Sequence, residues 1–263
     1  MARRKREWAF GFCVLVLRRP LMLLTRRDWH GGEHLPRTGG CVVAVNHVSE
    51  FDPIPFAHFV YDHGRLPRFL GKAEVFRIPV VGAILTNAGQ IPVYRKTTDA
   101  AKAFSAAVSA VNQGECVIVY VEGTITREPG LWPMVGKSGA ARIALSTGCP
   151  VVPAAQWGPQ DVLAPYGRKP RLLPRKRMRM RAGRPVDLAA FQGKPLTPSL
   201  LRAATDAIMD DITHLLEEIR GEQAPETRFD PLVAGVPDIG NPNRAVKGEP
   251  ASADDPDASA AGG

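Results

Sequence analysis

Apolar residues along this chain fall into two kinds of run. Cys41–Val45 and Cys116–Val121 are unbroken and rich in β-branched side chains, the pattern of strands covered on both faces. Val151–Ala155 reads as another strand, and its proline, Pro153, suggests an edge or a strand end. Arg68–Lys72 and Gln90–Val93 are shorter candidates. Between them, apolar positions recur at helical spacing: Ile54–Tyr61, a stretch through Ile84 and Leu85, then Ala101, Phe104, Val108 and Val111 within Thr98–Asn112, and Ser138–Thr147. A long amphipathic helix is predicted over Thr197–Arg220, capped near Thr197 and Pro198. Strands alternating with helices predict an α/β fold: a mixed, largely parallel sheet flanked by helices.

The two ends of the chain break this pattern. Residues 1–7 are strongly basic, Trp8–Leu17 is apolar, and Arg18, Arg19 and Pro20 interrupt before Leu21–Leu24 resumes. A spanning helix needs about 20 mainly apolar residues, and no small-residue cleavage site follows. An interfacial segment fits the pattern, with apolar side chains in the acyl boundary, arginines at the headgroups, and Trp8 and Trp29 at the edges. From Gly221 onward large apolar residues are few, which predicts a disordered tail. The expected organisation is therefore a membrane-associating element over 1–27, one catalytic domain over 28–220 and an acidic tail over 221–263.

Charge sharpens the reading. The chain carries 34 Lys and Arg against 26 Asp and Glu, a net charge of +8. Residues 221–263 contribute eight acidic and three basic residues, so the body alone stands near +13. A basic body implies an anionic partner. Residues 168–181 hold eight cations, with Arg177, Arg179 and Arg181 alternating with Met178 and Met180. That period of two predicts a strand with one basic and one apolar face, either solvated or meeting lipid headgroups or coenzyme A phosphates. It offers no aromatic platforms or recognition helix, which excludes nucleic acid as the expected partner. The four cysteines are scattered singly in apolar runs and read as buried hydrophobes. His30 and His34 are separated by Gly31 and Gly32, and no metal site is expected there.

The candidate chemistry lies where Cys41–Val45 ends. Asn46, His47, Val48, Ser49, Glu50, Phe51, Asp52 and Pro53 form a strand-to-helix turn, with Asp52 and Pro53 reading as an N-cap and first helical residue. On one continuous helix His47 and Asp52 would point roughly 140° apart. They meet only if the turn folds back. A neutral imidazole can take a proton from an alcohol, and a carboxylate on its other nitrogen fixes the tautomer and stabilises the imidazolium. The alternative is a pair that merely hydrogen-bonds a turn. No G-x-S-x-G elbow accompanies the pair.

Asn46-His47-x4-Asp52 resembles the N-H-x4-D signature of the glycerolipid acyltransferases, the 1-acylglycerol-3-phosphate acyltransferase-like family. Gly71–Gly82 resembles that family's second block, Val121-Glu122-Gly123-Thr124 its third (usually P-E-G-T), and Cys149–Ala154 its fourth. The resemblance implies transfer of an acyl chain from an acyl-CoA or acyl-carrier-protein thioester to the hydroxyl of 1-acylglycerol-3-phosphate, in phospholipid biosynthesis. His47 and Asp52 would be catalytic. Lys72, Arg77 and Arg127, with Arg95 behind them, would hold the acceptor phosphate, and Lys137 could assist. Glu122, Gly123 and Thr124 would shape the site, with backbone amides near Gly123 facing the developing oxyanion. No metal or cofactor is expected beyond the acyl-CoA or carrier-protein co-substrate. The expected partners are a phospholipid surface, the acyl donor and a lysophosphatidic acid-type acceptor, with the enzyme peripheral on the cytoplasmic face of the cell membrane. Two features depart from the family: Val121 replaces proline, and Ile125 stands where an arginine commonly follows. Other acceptors (glycerol-3-phosphate, another lysophospholipid, a glycolipid) therefore stay open, as does a non-catalytic protein that binds anionic lipid.

Overall fold

The computed structural model describes residues 2–93, 99–237 and 241. Seven strands form one sheet: β1 (Thr25–His30), β2 (Cys41–Val45), β3 (Pro67–Lys72), β4 (Ile91–Val93), β5 (Cys116–Tyr120), β6 (Val151–Trp157) and β7 (Lys176–Ala182). Their spatial order is β1-β7-β6-β2-β5-β3-β4. Every pairing is parallel except β6 with β7. The helices are α1 (Ala2–Leu24), α2 (Pro53–Asp62), α3 (Val81–Asn87), α4 (Asp99–Asn112), α5 (Gly139–Thr147), α6 (Pro159–Val162) and α7 (Pro198–Arg220). This is the mixed, mostly parallel α/β architecture that the alternation predicts.

The unbroken apolar runs become the centre of the sheet because both of their faces are covered. Val42, Ala44, Val117 and Val119 face α4, α5 and α7, meeting Ala107, Val111, Ile143, Ile208 and Ile212. Val43, Val45, Ile118, Met178 and Met180 face the other way, against Phe56 and Phe59 of α2. One-residue alternation along each strand thus feeds two separate cores. The cap predicted for the last helix is present: Thr197 accepts a hydrogen bond from the Leu200 amide at 3.2 Å.

Four expectations need correction. β6 is an interior strand, although it carries Pro153. The Pro153 carbonyl accepts from the Gly183 amide at 2.8 Å, so its nitrogen faces that same side. There the β6–β7 ladder begins only at Ala154, and no donor is needed. β1 escaped the sequence reading because Thr25–His30 shows no apolar alternation; pairing with β7 makes it a strand. The basic face of β7 is divided: Arg177 is exposed beside Asp28 of β1 at 3.8 Å, while Arg179 donates to the Ile219 carbonyl at 3.3 Å and Arg181 pairs with Glu218 of α7 at 2.7 Å. Finally, residues 221–237 are seated on the body. Arg228 pairs with Asp210 at 2.6 Å, the Ala224 amide donates to Glu217 at 2.9 Å, and the Phe229 carbonyl accepts from the Val135 amide at 2.9 Å. These polar contacts anchor a segment too poor in apolar residues to bury itself. The remainder of the acidic tail, apart from Asn241, lies outside the described residues.

α1 runs continuously through Pro20. Phe10 and Leu21 are buried, while Leu15 and Leu23 stand 67% and 73% exposed. Among the described residues, no helix is long and apolar enough to cross a membrane.

Candidate active site

β6, β2 and β5 lie side by side, and their carboxyl ends carry Gln156, Asn46-His47 and Glu122 respectively. This is where α/β sheets place ligands. Asn46 locks two of these ends together. Its side-chain amide donates to the Gln156 carbonyl at 3.1 Å and its oxygen accepts from the Gln156 amide at 2.9 Å. The Gln156 side chain returns a bond to the Asn46 carbonyl at 3.0 Å. Side chains thus continue a ladder that the backbone leaves at Val45 and Ala154.

The chain then folds back. Asp52 Oδ2 accepts from the Val48 amide at 2.7 Å, from the Ser49 amide at 3.1 Å and from His47 Nδ1 at 2.8 Å. Asp52 precedes Pro53 at the helix start, yet makes no side-chain cap. Its carboxylate is recruited backward by the turn, which leaves the expected N-cap interaction unmade. A carboxylate only accepts, so His47 carries its proton on Nδ1 and leaves Nε2 for the cavity. Burial pushes the Asp52 pKa up, opposed by His47 and the two amides. The Ser49 hydroxyl donates to the Leu163 carbonyl at 2.6 Å, which removes Ser49 from consideration as a nucleophile.

Glu122 is fully buried, and its two oxygens accept from different backbone amides: His47 at 2.9 Å and Met134 at 3.0 Å. It braces the His47–Asp52 turn instead of reaching toward a ligand. Burial raises its pKa from the ordinary 4.5 to about 8. Beside it, the Thr126 hydroxyl donates to the Trp132 carbonyl at 2.6 Å and accepts from the Glu128 amide at 3.2 Å. Thr126 also donates its amide to the His47 carbonyl at 2.8 Å. Gly123 takes a left-handed conformation, with φ of 71°, and donates its amide to the Tyr120 carbonyl at 2.9 Å. That bond commits the Gly123 amide itself to the turn.

His47 opens on a largely apolar cavity of about 1080 Å³. α1 contributes Phe10 and Leu21 to its wall, α2 contributes Ile54 and Tyr61, and α3 contributes Ile84 and Leu85. Among the described residues, cations reach this wall at three places: Arg18, Lys72 and Lys137. Lys72 ends β3, and Lys137 lies just before α5, its amide donating to the Val121 carbonyl at 2.8 Å. Arg77 is exposed on a 3-10 turn (Ala73–Arg77), and Arg127 is half-buried beyond the third block; neither joins the cavity wall. Arg95 lies outside the described residues. Ile125 is buried and lines the cavity, so the place of the usual arginine is apolar.

Three site residues had no role in the sequence reading. Gln156 carried a weak signal, as the polar residue that closes an apolar strand. Tyr120 carried a similar one, standing at the end of β5 just before Glu122. Tyr166 carried none. It comes from the loop after α6 with φ of 58°, donates its amide to Glu50 at 3.1 Å and its hydroxyl to the Ile125 carbonyl at 3.2 Å, and lies 3.4 Å from the Thr124 hydroxyl.

A mostly parallel sheet that gathers a His-Asp pair at an apolar cavity, with cations at its wall and, among the described residues, no activated serine or cysteine, defines a class of acyl-transfer enzyme. The acyltransferase family model matches residues 26–157, half of the chain, and the chain belongs to that family. It is similar to the 1-acyl-sn-glycerol-3-phosphate acyltransferase of Bacillus subtilis (strain 168), at 28% identity over 78% of this chain and 96% of that one. It is also similar to the chloroplastic 1-acyl-sn-glycerol-3-phosphate acyltransferase BAT2 of Brassica napus, at 30% identity over 52% of this chain but only 39% of the relative's length. The crystal structure of PlsC, the 1-acyl-sn-glycerophosphate (LPA) acyltransferase of Thermotoga maritima, shares the fold with a TM-score of 0.60, at 22% identity over 85% of this chain and 81% of that one.

Proposed function

We propose that this acyltransferase moves an acyl chain from an acyl-CoA or acyl-carrier-protein thioester to the free hydroxyl of 1-acylglycerol-3-phosphate, giving phosphatidic acid. The observation that carries the reading is the His47–Asp52 pair, 2.8 Å apart, at the mouth of an apolar cavity whose wall also holds Lys72 and Lys137. In this mechanism His47 Nε2 takes the proton of the acceptor hydroxyl as its oxygen bonds to the thioester carbonyl carbon. Asp52 stabilises the imidazolium. The tetrahedral intermediate collapses, the C–S bond breaks, and the imidazolium returns the proton to the departing sulfur. No acyl-enzyme and no metal take part. The cavity has the volume and apolar lining for an acyl chain, and Lys72 and Lys137 suit a phosphate as point charges.

The reading extends to the membrane. Exposed Leu15 and Leu23 of α1 and Val80 before α3, together with the basic residues 1–7, favour peripheral docking of the segment 1–27 on anionic phospholipid at the cytoplasmic face. The body over 28–220 then works at the lipid surface. One observation favours a second acceptor: Ile125 removes a cation from the wall, which would suit glycerol-3-phosphate less than a lysophospholipid or glycolipid. The test is thiol release from acyl-CoA or acyl-carrier protein by purified protein, with each acceptor and beside His47→Ala. Release that depends on 1-acylglycerol-3-phosphate and disappears in folded His47→Ala is expected. Release dependent only on another acceptor moves the substrate, and full activity in His47→Ala removes the base.

A further inference from the structure

We infer that Tyr120 is a positioning residue for His47, its ring face being the platform that fixes the imidazole and stabilises the imidazolium formed during transfer. The two rings stack with centroids 4.2 Å apart and planes inclined by 23°. Phe69 of β3 backs the phenol in turn, at 6.1 Å and 18°. The platform is rigid because Tyr120 ends β5, a central strand, and sits opposite Val45 of β2 in the ladder that delivers His47.

The argument starts from what Asp52 leaves undone. One hydrogen bond to Nδ1 fixes a point on the imidazole but allows the ring to rotate about that bond. A face contact removes this freedom and keeps Nε2 aimed at one place, which matters because small misplacements of a reacting group cost large factors in rate. The same face acts on charge. A cation within about 6 Å of an aromatic centroid is attracted by the ring quadrupole, more strongly where water is excluded. Neutral imidazole gains little from that attraction and imidazolium gains much, so the stack favours the state in which the proton has been taken.

The hydroxyl of Tyr120 is not the active part. It lies beside the Gln156 side chain, outside normal hydrogen-bond geometry. Burial and the Asp52 charge push the phenol pKa well up, so Tyr120 stays neutral and does not itself accept the substrate proton. The contribution comes from the face, which phenylalanine also possesses.

This inference rests on the reading of His47 as the base, and the experiment separates the two. Full-length protein in detergent micelles, with isotope-labelled histidine, is compared as parent, Tyr120→Phe, Tyr120→Met and His47→Ala. A stacked ring displaces the His47 C–H resonances upfield by its ring current, whatever the activity. The displacement is expected in the parent and in Tyr120→Phe, and its loss in Tyr120→Met. In thiol-release kinetics Tyr120→Phe should keep kcat within about twofold, while Tyr120→Met should lose about tenfold in kcat at unchanged KM. The proposal is overturned by a parent without the displacement, by Tyr120→Met with parental kcat, or by Tyr120→Phe as impaired as Tyr120→Met. Full activity in His47→Ala sinks the base assignment and the inference together, and is recognised as such because the ring-current pattern would still stand. If Tyr120→Met fails to fold, Tyr120→Leu replaces it.

Discussion

Replacing Asp52 by asparagine separates the charge of this residue from its shape. Asp52 Oδ2 accepts all three of its hydrogen bonds, from His47 Nδ1, Val48 N and Ser49 N, while Oδ1 has no hydrogen-bond partner. An amide oxygen in the Oδ2 place keeps all three, so the turn and the histidine tautomer survive. The new NH2 group falls where Oδ1 was and lacks an acceptor, which costs about 1–3 kcal/mol. Against this, the variant no longer buries a charge, whose cost shows in the raised pKa of Asp52. The two effects oppose each other, and the thermal midpoint should move by less than about 4 °C. Activity should respond differently. At 2.8 Å and an effective dielectric of about 20, a carboxylate attracts an imidazolium by about 6 kcal/mol. If the amide dipole restores about half, the transition state loses about 3 kcal/mol, on the order of a hundredfold in kcat. KM should hold, since Asp52 is fully buried and does not line the cavity. Steady-state thiol release with a colorimetric thiol reagent measures both constants, and scanning calorimetry measures the midpoint. A kcat within tenfold of the parent would refute the electrostatic role. A collapse of the midpoint would show that the carboxylate serves the turn.

Glu122→Gln leaves one backbone amide, that of His47 or Met134, facing an NH2 group, and should cost about 1–3 kcal/mol in urea unfolding at pH 5. Its pH dependence carries a definite sign. A carboxyl whose folded pKa lies above its unfolded value binds its proton more tightly when folded, so its stabilisation is present at low pH and is lost as pH rises. For Glu122 that window runs from about 4.5 to about 8, with a slope of about 1.4 kcal/mol per pH unit. Over pH 5 to 8 that loss comes to about 3–4 kcal/mol, more than the initial gap, so the gap between parent and Glu122→Gln should close as pH rises and reverse sign by pH 8; a constant gap would contradict the buried, protonated glutamate. Lys72→Ala should raise KM for a phosphate-bearing acceptor about tenfold with little change in kcat, as loss of a charged hydrogen bond made equally in ground and transition states. Arg77→Ala, altering an exposed side chain outside the cavity wall, should change neither constant by more than about twofold.

The pattern of apolar runs determined the sheet. Cys41–Val45 and Cys116–Tyr120 had to be central, because unbroken β-branched runs are stable only when both faces are covered. The Asn46-His47-x4-Asp52 spacing, with a proline opening the next helix, placed the candidate chemistry at a strand end and named its two principal residues. What the sequence could not show was any relation set by neighbours distant in the chain. β1 is a strand only because β7 offers it a partner, and Pro153 is tolerated inside the sheet only because the neighbouring ladder ends beside it. Whether His47 meets Asp52 depended on how the turn closes, and two backbone amides drawing on the same carboxylate oxygen decided it. The cations told the same story. Lys72, Arg77 and Arg127 look alike in sequence, since charge alone carries no direction, and only packing puts Lys72 in the cavity wall and the two arginines outside it. Glu122 read as a residue that shapes the site, and only the fold shows how, turning both of its oxygens onto main-chain amides, because a buried carboxyl must find donors wherever the backbone presents them.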